Sequence, residues 1–166
     1  MKFNRMELNA FDPDGVGVDN GTYFGLPFEP GTAELVLVSA PWDVTVSYGA
    51  GTAHAPDAVI EASTQLDFHE PLAPGVWRRG IATADVDYAL LEESQRLRSD
   101  AEKVIAHLEG GGSPEDDYAV RKVRRINEGC RAMNANIGGA VARRREDRGT
   151  GRGRPFDALR TDPCPG

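Results

Sequence analysis

Three histidines and one pair of aspartates are the side chains of this sequence that could support metal or acid–base chemistry. The histidines are His54, His69 and His107, and the aspartates are Asp85 and Asp87. A hydrolytic metal centre needs several histidines and carboxylates that converge on one point. No histidine here belongs to a His-x-x-x-His pair, which would place two rings on one face of a helix. We therefore predict a polar or capping role for each histidine, and the polar end of a strand for the two aspartates.

Glycines cluster between residues 49 and 54, where a predicted strand gives way to a predicted helix. The order Gly49-Ala-Gly-Thr-Ala-His54 partly matches the glycine pattern of a dinucleotide-binding turn. His54 stands where that turn needs glycine or alanine, so that the helix can pack closely on the strand. The chain also has no Gly-Lys-Ser or Gly-Lys-Thr phosphate loop and no cysteine–histidine pairing for nucleophilic catalysis. The sequence thus predicts no complete active site of these kinds.

Composition limits the class of protein and its partners. A chain of 166 residues is long enough for one domain with a hydrophobic core. The net charge is −7, but residues 143–166 hold seven of the 19 basic and four of the 26 acidic residues, so this segment is +3 and the rest is −10. Cys130 and Cys164 are too few for a disulfide framework or a zinc site. With no long apolar run and no signal-peptide pattern, we predict a reduced, cytoplasmic protein with no nucleic-acid and no membrane partner.

Hydrophobic patterns predict the elements that would position these side chains. The apolar, β-branched run Leu35–Ala40 predicts a buried strand that ends at Pro41. After the glycine loop, Pro56 fits the first turn of a helix, where its missing N–H costs nothing. Gly80–Asp87 is a second candidate strand. Strands that alternate with helices predict an α/β fold with a mostly parallel sheet.

The pattern also predicts two long helices. The first covers Leu90–Glu109 and stops at Gly110–Gly112, and the second restarts at Ser113, a capping residue, with Pro114 in its first turn. Seven apolar side chains at helical spacing predict that the second helix buries one long face; they are Val120, Val123, Ile126, Cys130, Met133, Ile137 and Val141. Four basic side chains lie largely off that face and predict a solvated helix surface: Arg121, Lys122, Arg124 and Arg125.

The strand–loop–helix unit resembles the opening of the ureohydrolase family, which includes arginase and agmatinase. The resemblance covers about residues 22–142 and is carried by three segments, Tyr23–Phe28, Ala40–Thr52 and Ala55–Ser63. In that family the first strand leads into a Ser-Tyr-x-x-Gly-Thr loop, which is Ser47–Thr52 here, and then into a Gly-Pro-x-Ala-Ile helix. This chain has Ala55 where the family commonly has the glycine. Together the segments look most like the agmatinase branch.

The resemblance implies a three-layer, parallel-sheet, arginase-like fold of which this chain would be an incomplete N-terminal part. It also implies the family reaction, in which two Mn²⁺ ions support hydrolysis of a linear guanidine to urea and an amine. The family's metal-binding motifs, Gly-Gly-Asp-His, Asp-Ala-His-x-Asp and Asp-x-Asp-x-x-Asp-Pro, are absent from these residues. We therefore expect no catalytic, cofactor-binding or metal-binding residue, no bound cofactor and no activity from this chain alone. The alternative is a non-catalytic interaction or regulatory module that docks on an intact ureohydrolase, in a homo- or hetero-oligomer.

The predicted organisation has three segments. Residues 1–33 form an extended N-terminal arm with scattered aromatic anchors, and residues 34–147 form the partial arginase-like α/β domain. Residues 148–166 form a tail that is rich in Arg and Gly and lacks an apolar period, so we expect it to be disordered. The family continues at this point into a buried strand. We interpret the tail as frameshifted, because a suitable choice of codons encodes such a strand when one nucleotide after codon 148 is removed.

Overall fold

The chain folds into two compact units, seen in a computed structural model that describes residues 11–46 and 48–149, with side chains up to residue 144. One unit consists of residues 11–37, 60–84 and 141–149, and the other of residues 38–59 and 85–140. The helices and strands are β1 (Leu35–Leu37), α1 (Ala55–Ser63), β2 (Ile81–Thr83), α2 (Tyr88–Glu109) and α3 (Asp117–Gly149). Short 3₁₀ turns cover Tyr23–Gly25, Thr52–His54 and Val76–Arg79.

The first unit contains a two-stranded parallel sheet. Leu35 pairs with Ile81 and Leu37 with Thr83, so the parallel direction predicted from the sequence is confirmed. The prediction that Leu35–Ala40 forms a buried strand is wrong in extent and in burial, since β1 ends at Leu37 and Leu35 is half exposed. The physical reason is pairing: among the described residues, β2 alone hydrogen-bonds to β1. The mixture of helices and parallel strands is compatible with the α/β class.

An aromatic cluster forms the core of the first unit. Its buried members are Leu26, Phe28, Ala33, Trp77 and Ala82, and the partly buried Phe11, Phe24, Phe68 and Ile81 pack against them. The described part of the predicted arm therefore packs on this core through aromatic side chains. The centroid of the Phe11 ring lies 5.0 Å from that of the Trp77 ring. Gly80 has a φ of 80°, and a Cβ there would press on the ring of Phe28. Glycine is thus needed where the chain enters β2.

Phe24 is the one described residue other than glycine with a positive φ, 68°. The left-handed conformation is costly for an aromatic residue, so neighbouring bonds must hold it in place. The N–H of Phe24 donates to Ser63 Oγ at 2.7 Å, and the N–H of Tyr23 donates to Thr83 Oγ1 at 2.8 Å. Ser63 Oγ in turn donates to the carbonyl oxygen of Ile60. Two hydroxyl groups therefore fix this turn beside the aromatic core.

The second unit is built on α2 and α3. Its buried core consists of Val44, Leu97, Ala101 and Ile126, with Trp42 and Cys130 packed against it. Asp87 caps α2 by accepting from the N–H groups of Ala89 and Leu90 at 3.1 and 3.4 Å. Asp87 is therefore a helix cap, whereas the sequence placed it at the end of the strand, which stops at Thr83.

Helix α3 begins later in the chain than the sequence predicts, because a turn precedes it. We predicted that the second helix restarts at Ser113, but it begins at Asp117. The N–H of Ser113 donates to Asp116 Oδ2 at 3.0 Å, and the N–H of Asp116 donates to the carbonyl oxygen of Ser113 at 3.2 Å. These two bonds close a turn that occupies the residues assigned to the first helical turn.

The predicted apolar face of α3 is not buried along its whole length. Ile126 is buried, but Val120, Val123 and Val141 are 40–49% exposed, so the prediction of one long buried face is wrong for these residues. The prediction of a solvated basic surface is also wrong for Lys122, whose ammonium group lies 2.7 Å from the carboxylate of Asp100. That carboxylate is 9% exposed.

The predicted boundaries at residues 33 and 147 stay a prediction. Helix α3 runs to Gly149 and so enters the tail predicted to be disordered at residues 148–166. The rest of that tail, from residue 150, lies outside the described residues, and so does the arm before Phe11.

Candidate functional site

The best-defined polar site of the chain is the loop from Trp42 to His54, here called the Asp43 loop. It lies in the second unit, after the buried Pro41 and before α1. Asp43 is only 9% exposed, and its backbone N–H donates to Ser94 Oγ at 3.0 Å. Ser94 is itself fully buried in α2 and returns a 3.3 Å bond to Asp43 Oδ1. The start of the loop is thereby fixed to a helix.

The same aspartate also fixes the far end of the loop. Asp43 Oδ2 accepts a hydrogen bond from the backbone N–H of Gly51 at 2.7 Å. Gly51 and Gly49 have φ values of 127° and 66°, which an L-residue with a side chain rarely adopts. One carboxylate therefore joins two points of the chain that are eight residues apart.

The surroundings of Asp43 favour its charged form. Burial acts to raise the pKa of this carboxyl, but hydrogen bonds from the N–H groups of Gly51 and Ala53 and from the Ser94 hydroxyl, together with the positive charge of Arg98, lower it below its usual value of 3.8. A carboxylate that accepts several hydrogen bonds is stabilised as the anion even when little water reaches it. Asp43 is therefore an anionic anchor for the loop.

Arg98 supports the loop from α2. Its Nη1 donates to the carbonyl oxygen of Val46 at 2.7 Å and to that of Val44 at 3.4 Å. Its Nε is held by Glu102 Oε1 at 3.0 Å. The guanidinium group thus supplies hydrogen-bond donors to two carbonyl groups of the loop in a partly buried place.

The tip of the loop faces solvent. Tyr48 is 98% exposed, and Gly49, Ala50 and Gly51 are exposed beside it. Both oxygens of Asp43 are engaged by protein donors, so this carboxylate is not free to act as a general base. The loop therefore offers a phenol ring and backbone groups on a fixed base, an arrangement that suits contact with another molecule better than proton transfer.

Each of the three histidines has its own local polar contact. His54 Nε2 is 3.5 Å from Gln95 Nε2, and His107 Nε2 is 2.9 Å from Asp116 Oδ2. The backbone N–H of His69 donates to Asp67 Oδ1 at 2.8 Å. Among the side chains that the structure describes, in residues 11–46 and 48–144, no three of His, Cys, Asp or Glu form a group that could hold a metal ion. These residues do not fit the two Mn²⁺ ions that the resemblance implies.

Ser94 and Arg98 are the site residues that sequence reasoning missed. They lie four positions apart on α2 and therefore on one face of that helix. A serine four residues before an arginine is common in solvated helices, so the spacing alone carries no signal. Their partner Asp43 stands about 50 residues earlier in the chain, and only the fold brings the three together.

Comparisons with known proteins return nothing similar to this chain. No family model, no curated protein and no solved structure matches it. Among the described residues, no helix is both long and apolar enough to cross a membrane. Membership of the ureohydrolase family therefore stays a proposal, which depends on the residues and their geometry.

Proposed function

We propose that this chain is an agmatinase-like relative of the ureohydrolases, corresponds to the N-terminal part of their arginase-like fold, and does not hydrolyse agmatine by itself. The observation that carries the proposal is the chain path through β1, the Asp43 loop and α1. A parallel strand, a glycine-containing loop and a helix that begins at Ala55 follow one another in the order that the resemblance implies. The anchoring of Gly51 by Asp43 adds support, because it fixes the loop that carries the Ser-Tyr-x-x-Gly-Thr pattern.

The side chains of this sequence do not supply the ligands that the family reaction requires. The family reaction needs two Mn²⁺ ions held by carboxylates and histidines, and the three motifs that supply those ligands are missing from this sequence. His54 lies beside Gln95, and His107 lies beside Asp116. The three histidines are at least 15 positions apart in the sequence. A reduced, cytoplasmic setting belongs to the same proposal, since the sequence contains only two cysteines.

The test of this proposal is a urea assay on the purified chain of 166 residues. The protein is incubated with Mn²⁺ and agmatine, beside a blank that contains metal alone and an intact agmatinase as the positive control. We expect urea from the intact enzyme and none above the blank from this chain. Release of urea above the blank, in proportion to the amount of protein added, would contradict the proposal.

A second candidate function is an interaction module that docks on an intact ureohydrolase subunit through the Asp43 loop. The observation in its favour is Tyr48, which is almost fully exposed on a loop held at both ends by Asp43. A loop with a fixed base loses less conformational entropy when it binds, and tyrosine is a frequent anchor at interfaces.

The docking hypothesis is tested by mixing the tagged chain with an intact agmatinase and measuring co-elution on a sizing column. We expect Tyr48→Ser to reduce co-elution, whereas Leu72→Ser should leave it unchanged. Leu72 is the matched control because it is 95% exposed and lies in the other unit. No co-elution of the unmodified chain, or an equal effect of both substitutions, would contradict docking through this loop.

A further inference from the structure

Residues 19–25 of the first unit form a turn around Asn20, which is held by hydrogen bonds on both atoms of its side-chain amide. Oδ1 accepts from the backbone N–H of Thr22 at 3.0 Å and from the Thr22 hydroxyl at 2.6 Å. Nδ2 donates to the carbonyl oxygen of Gly25 at 3.1 Å. The next residue is Gly21, whose N–H donates to Asp19 Oδ1 at 3.3 Å. Of the six asparagines in the sequence, Asn20 alone precedes a glycine.

We propose that this turn is a self-modification site, at which Asp19, Gly21 and Thr22 convert Asn20 into aspartate and isoaspartate with water as the only co-reactant. The base and the two donors to the amide oxygen each stand within hydrogen-bond distance of the atom on which they would act. The Asp19 carboxylate accepts from the nitrogen that attacks, and two donors of Thr22 hold the oxygen on which negative charge develops.

The reaction has two balanced steps. In the first, the Gly21 nitrogen gives its proton to the Asp19 carboxylate and forms a bond to Asn20 Cγ, while the C=O electron pair moves to Oδ1. Collapse of this intermediate breaks the bond from Cγ to Nδ2, and the amine leaves as ammonia with the proton that Asp19 returns. In the second step, water adds to either carbonyl group of the resulting succinimide. Ring opening then leaves aspartate or isoaspartate at this position.

Gly21 is suited to the attacking role because it offers little steric hindrance. Glycine carries no Cβ beside its nitrogen, and apart from the adjoining Asn20 and Thr22 no residue has an atom within 4 Å of the place where a Cβ would stand. Its φ of 76° is one that a residue with a side chain rarely adopts. The turn therefore depends on glycine at the position where closure of a five-membered ring is easiest.

The product would weaken the turn that leads into the core. Nδ2 of Asn20 is a donor to the Gly25 carbonyl oxygen, whereas a carboxylate oxygen in its place would face that oxygen as a second acceptor. The next residue, Leu26, is almost completely buried, and Phe24 already holds a strained φ. Modification of Asn20 would thus loosen the attachment of the aromatic core.

The full chain is incubated at neutral pH, and peptide mapping with mass spectrometry measures the aspartate and isoaspartate formed at each asparagine over time. Asp19→Ser keeps an acceptor for the Gly21 N–H but removes the base, and Thr22→Val removes the hydroxyl donor but keeps the N–H. Matched controls are Asp12→Ser, which alters the similar turn at Asp14, and Thr32→Val, which removes a hydroxyl bonded to the Glu29 carbonyl oxygen. Each variant is also incubated in urea, where the turn is unfolded.

We expect Asn20 to be modified well before Asn134 and Asn136 in the folded protein. Asp19→Ser and Thr22→Val should each slow the reaction severalfold, both controls should leave it unchanged, and all differences should vanish in urea. The proposal is overturned if Asn20 is modified no faster than Asn134. It is also overturned if the two test variants are modified at Asn20 as fast as the chain without substitutions. It is equally overturned if they slow the reaction in urea as much as in the folded state, because the folded turn would then contribute nothing.

Discussion

The N–H of Gly51 donates to Oδ2 of Asp43 at 2.7 Å, and this bond joins the two ends of the Asp43 loop. The other carboxylate oxygen is bonded to Ser94, a buried residue of α2. A loop with glycine at positions of positive φ would otherwise sample many conformations. The structure of the candidate site therefore depends on one buried anion.

Replacing Asp43 with asparagine tests this dependence. The asparagine amide has one acceptor, Oδ1, and one donor group, Nδ2, so Nδ2 would face a second donor at either the Gly51 N–H or the Ser94 hydroxyl. The substitution also removes the negative charge that faces Arg98. We expect Asp43→Asn to lower the free energy of unfolding by about 1–3 kcal/mol. Asp57→Asn is the matched control, since Asp57 is exposed and accepts a hydrogen bond from the Tyr88 hydroxyl. Equal urea denaturation midpoints for the two variants would refute the anchoring role.

The dependence of stability on pH follows from two carboxyl groups. The pKa of Asp100 is lowered by its hydrogen bond to Lys122, an effect that burial opposes and that the charges of Lys122, Arg125 and Lys103 reinforce. The pKa of Asp43 is also lowered from 3.8. A depressed carboxyl pKa stabilises the folded state above the pKa of the unfolded chain, and this contribution is lost as the pH falls through the folded-state pKa.

We therefore expect the free energy of unfolding to decline as the pH falls below about 4. The measurement is a series of urea denaturation curves between neutral and acidic pH. The double variant Asp43→Asn/Asp100→Asn should be less stable at neutral pH and should lose less stability on acidification. If it declines as steeply as the unmodified chain, other carboxyl groups account for the acid sensitivity.

Asp100 links α2 to α3 through two basic side chains. Lys122 Nζ lies 2.7 Å from Oδ1, and Arg125 Nη1 lies 3.2 Å from Oδ2. Lys122→Met should cost about 2 kcal/mol because it leaves a buried carboxylate with one partner. The pair Asp100→Leu/Lys122→Met should recover most of that loss, since no buried charge remains.

Arg124→Met is the control for this pair. Arg124 is 77% exposed and lies 3.6 Å from Glu128, so its removal should change the unfolding free energy by less than about 1 kcal/mol. All of these values come from urea denaturation. A loss for Arg124→Met as large as that for Lys122→Met would argue against the special position of Asp100.

Two glycines of α3 should respond to alanine in opposite directions. A Cβ at Gly129 would overlap Cδ1 of the buried Leu97, whereas a Cβ at Gly138 would meet nothing within 4 Å. Gly129→Ala should destabilise by about 1–3 kcal/mol through overpacking. Gly138→Ala should stabilise by up to about 1 kcal/mol, because alanine is the better helix former. Thermal unfolding measures both, and a shift of the two variants in the same direction would contradict the close approach of α2 and α3.

Local chemistry explains which parts of the fold the sequence could predict. The helix near Pro56 and the long helix that ends at Glu109 are predicted by the sequence and present in the structure. Their prediction is possible because caps, glycines and apolar spacing determine helix position through residues that are close in sequence. The parallel direction of β1 and β2 followed from the alternation of strands and helices. The burial of β1 could not be predicted, because it depends on how many neighbours the strand has.

The candidate site shows the same division. The glycines of the Asp43 loop were visible in the sequence, but the anchoring of that loop depends on Asp43 and Ser94, which are 51 positions apart. Lys122 was assigned to a solvated surface because its partner, Asp100, lies on the previous helix. Pairings over such separations are set by packing and leave no local pattern.

The most direct test of the central claim is the nucleotide sequence of the gene across and beyond codon 148. If the chain corresponds to the N-terminal part of a ureohydrolase, a nearby alternative frame should encode Asp-Ala-His-x-Asp and, further on, Asp-x-Asp-x-x-Asp-Pro. Absence of any such frame, together with cooperative unfolding of the purified chain as a monomer, would contradict the account and favour a self-contained binding domain.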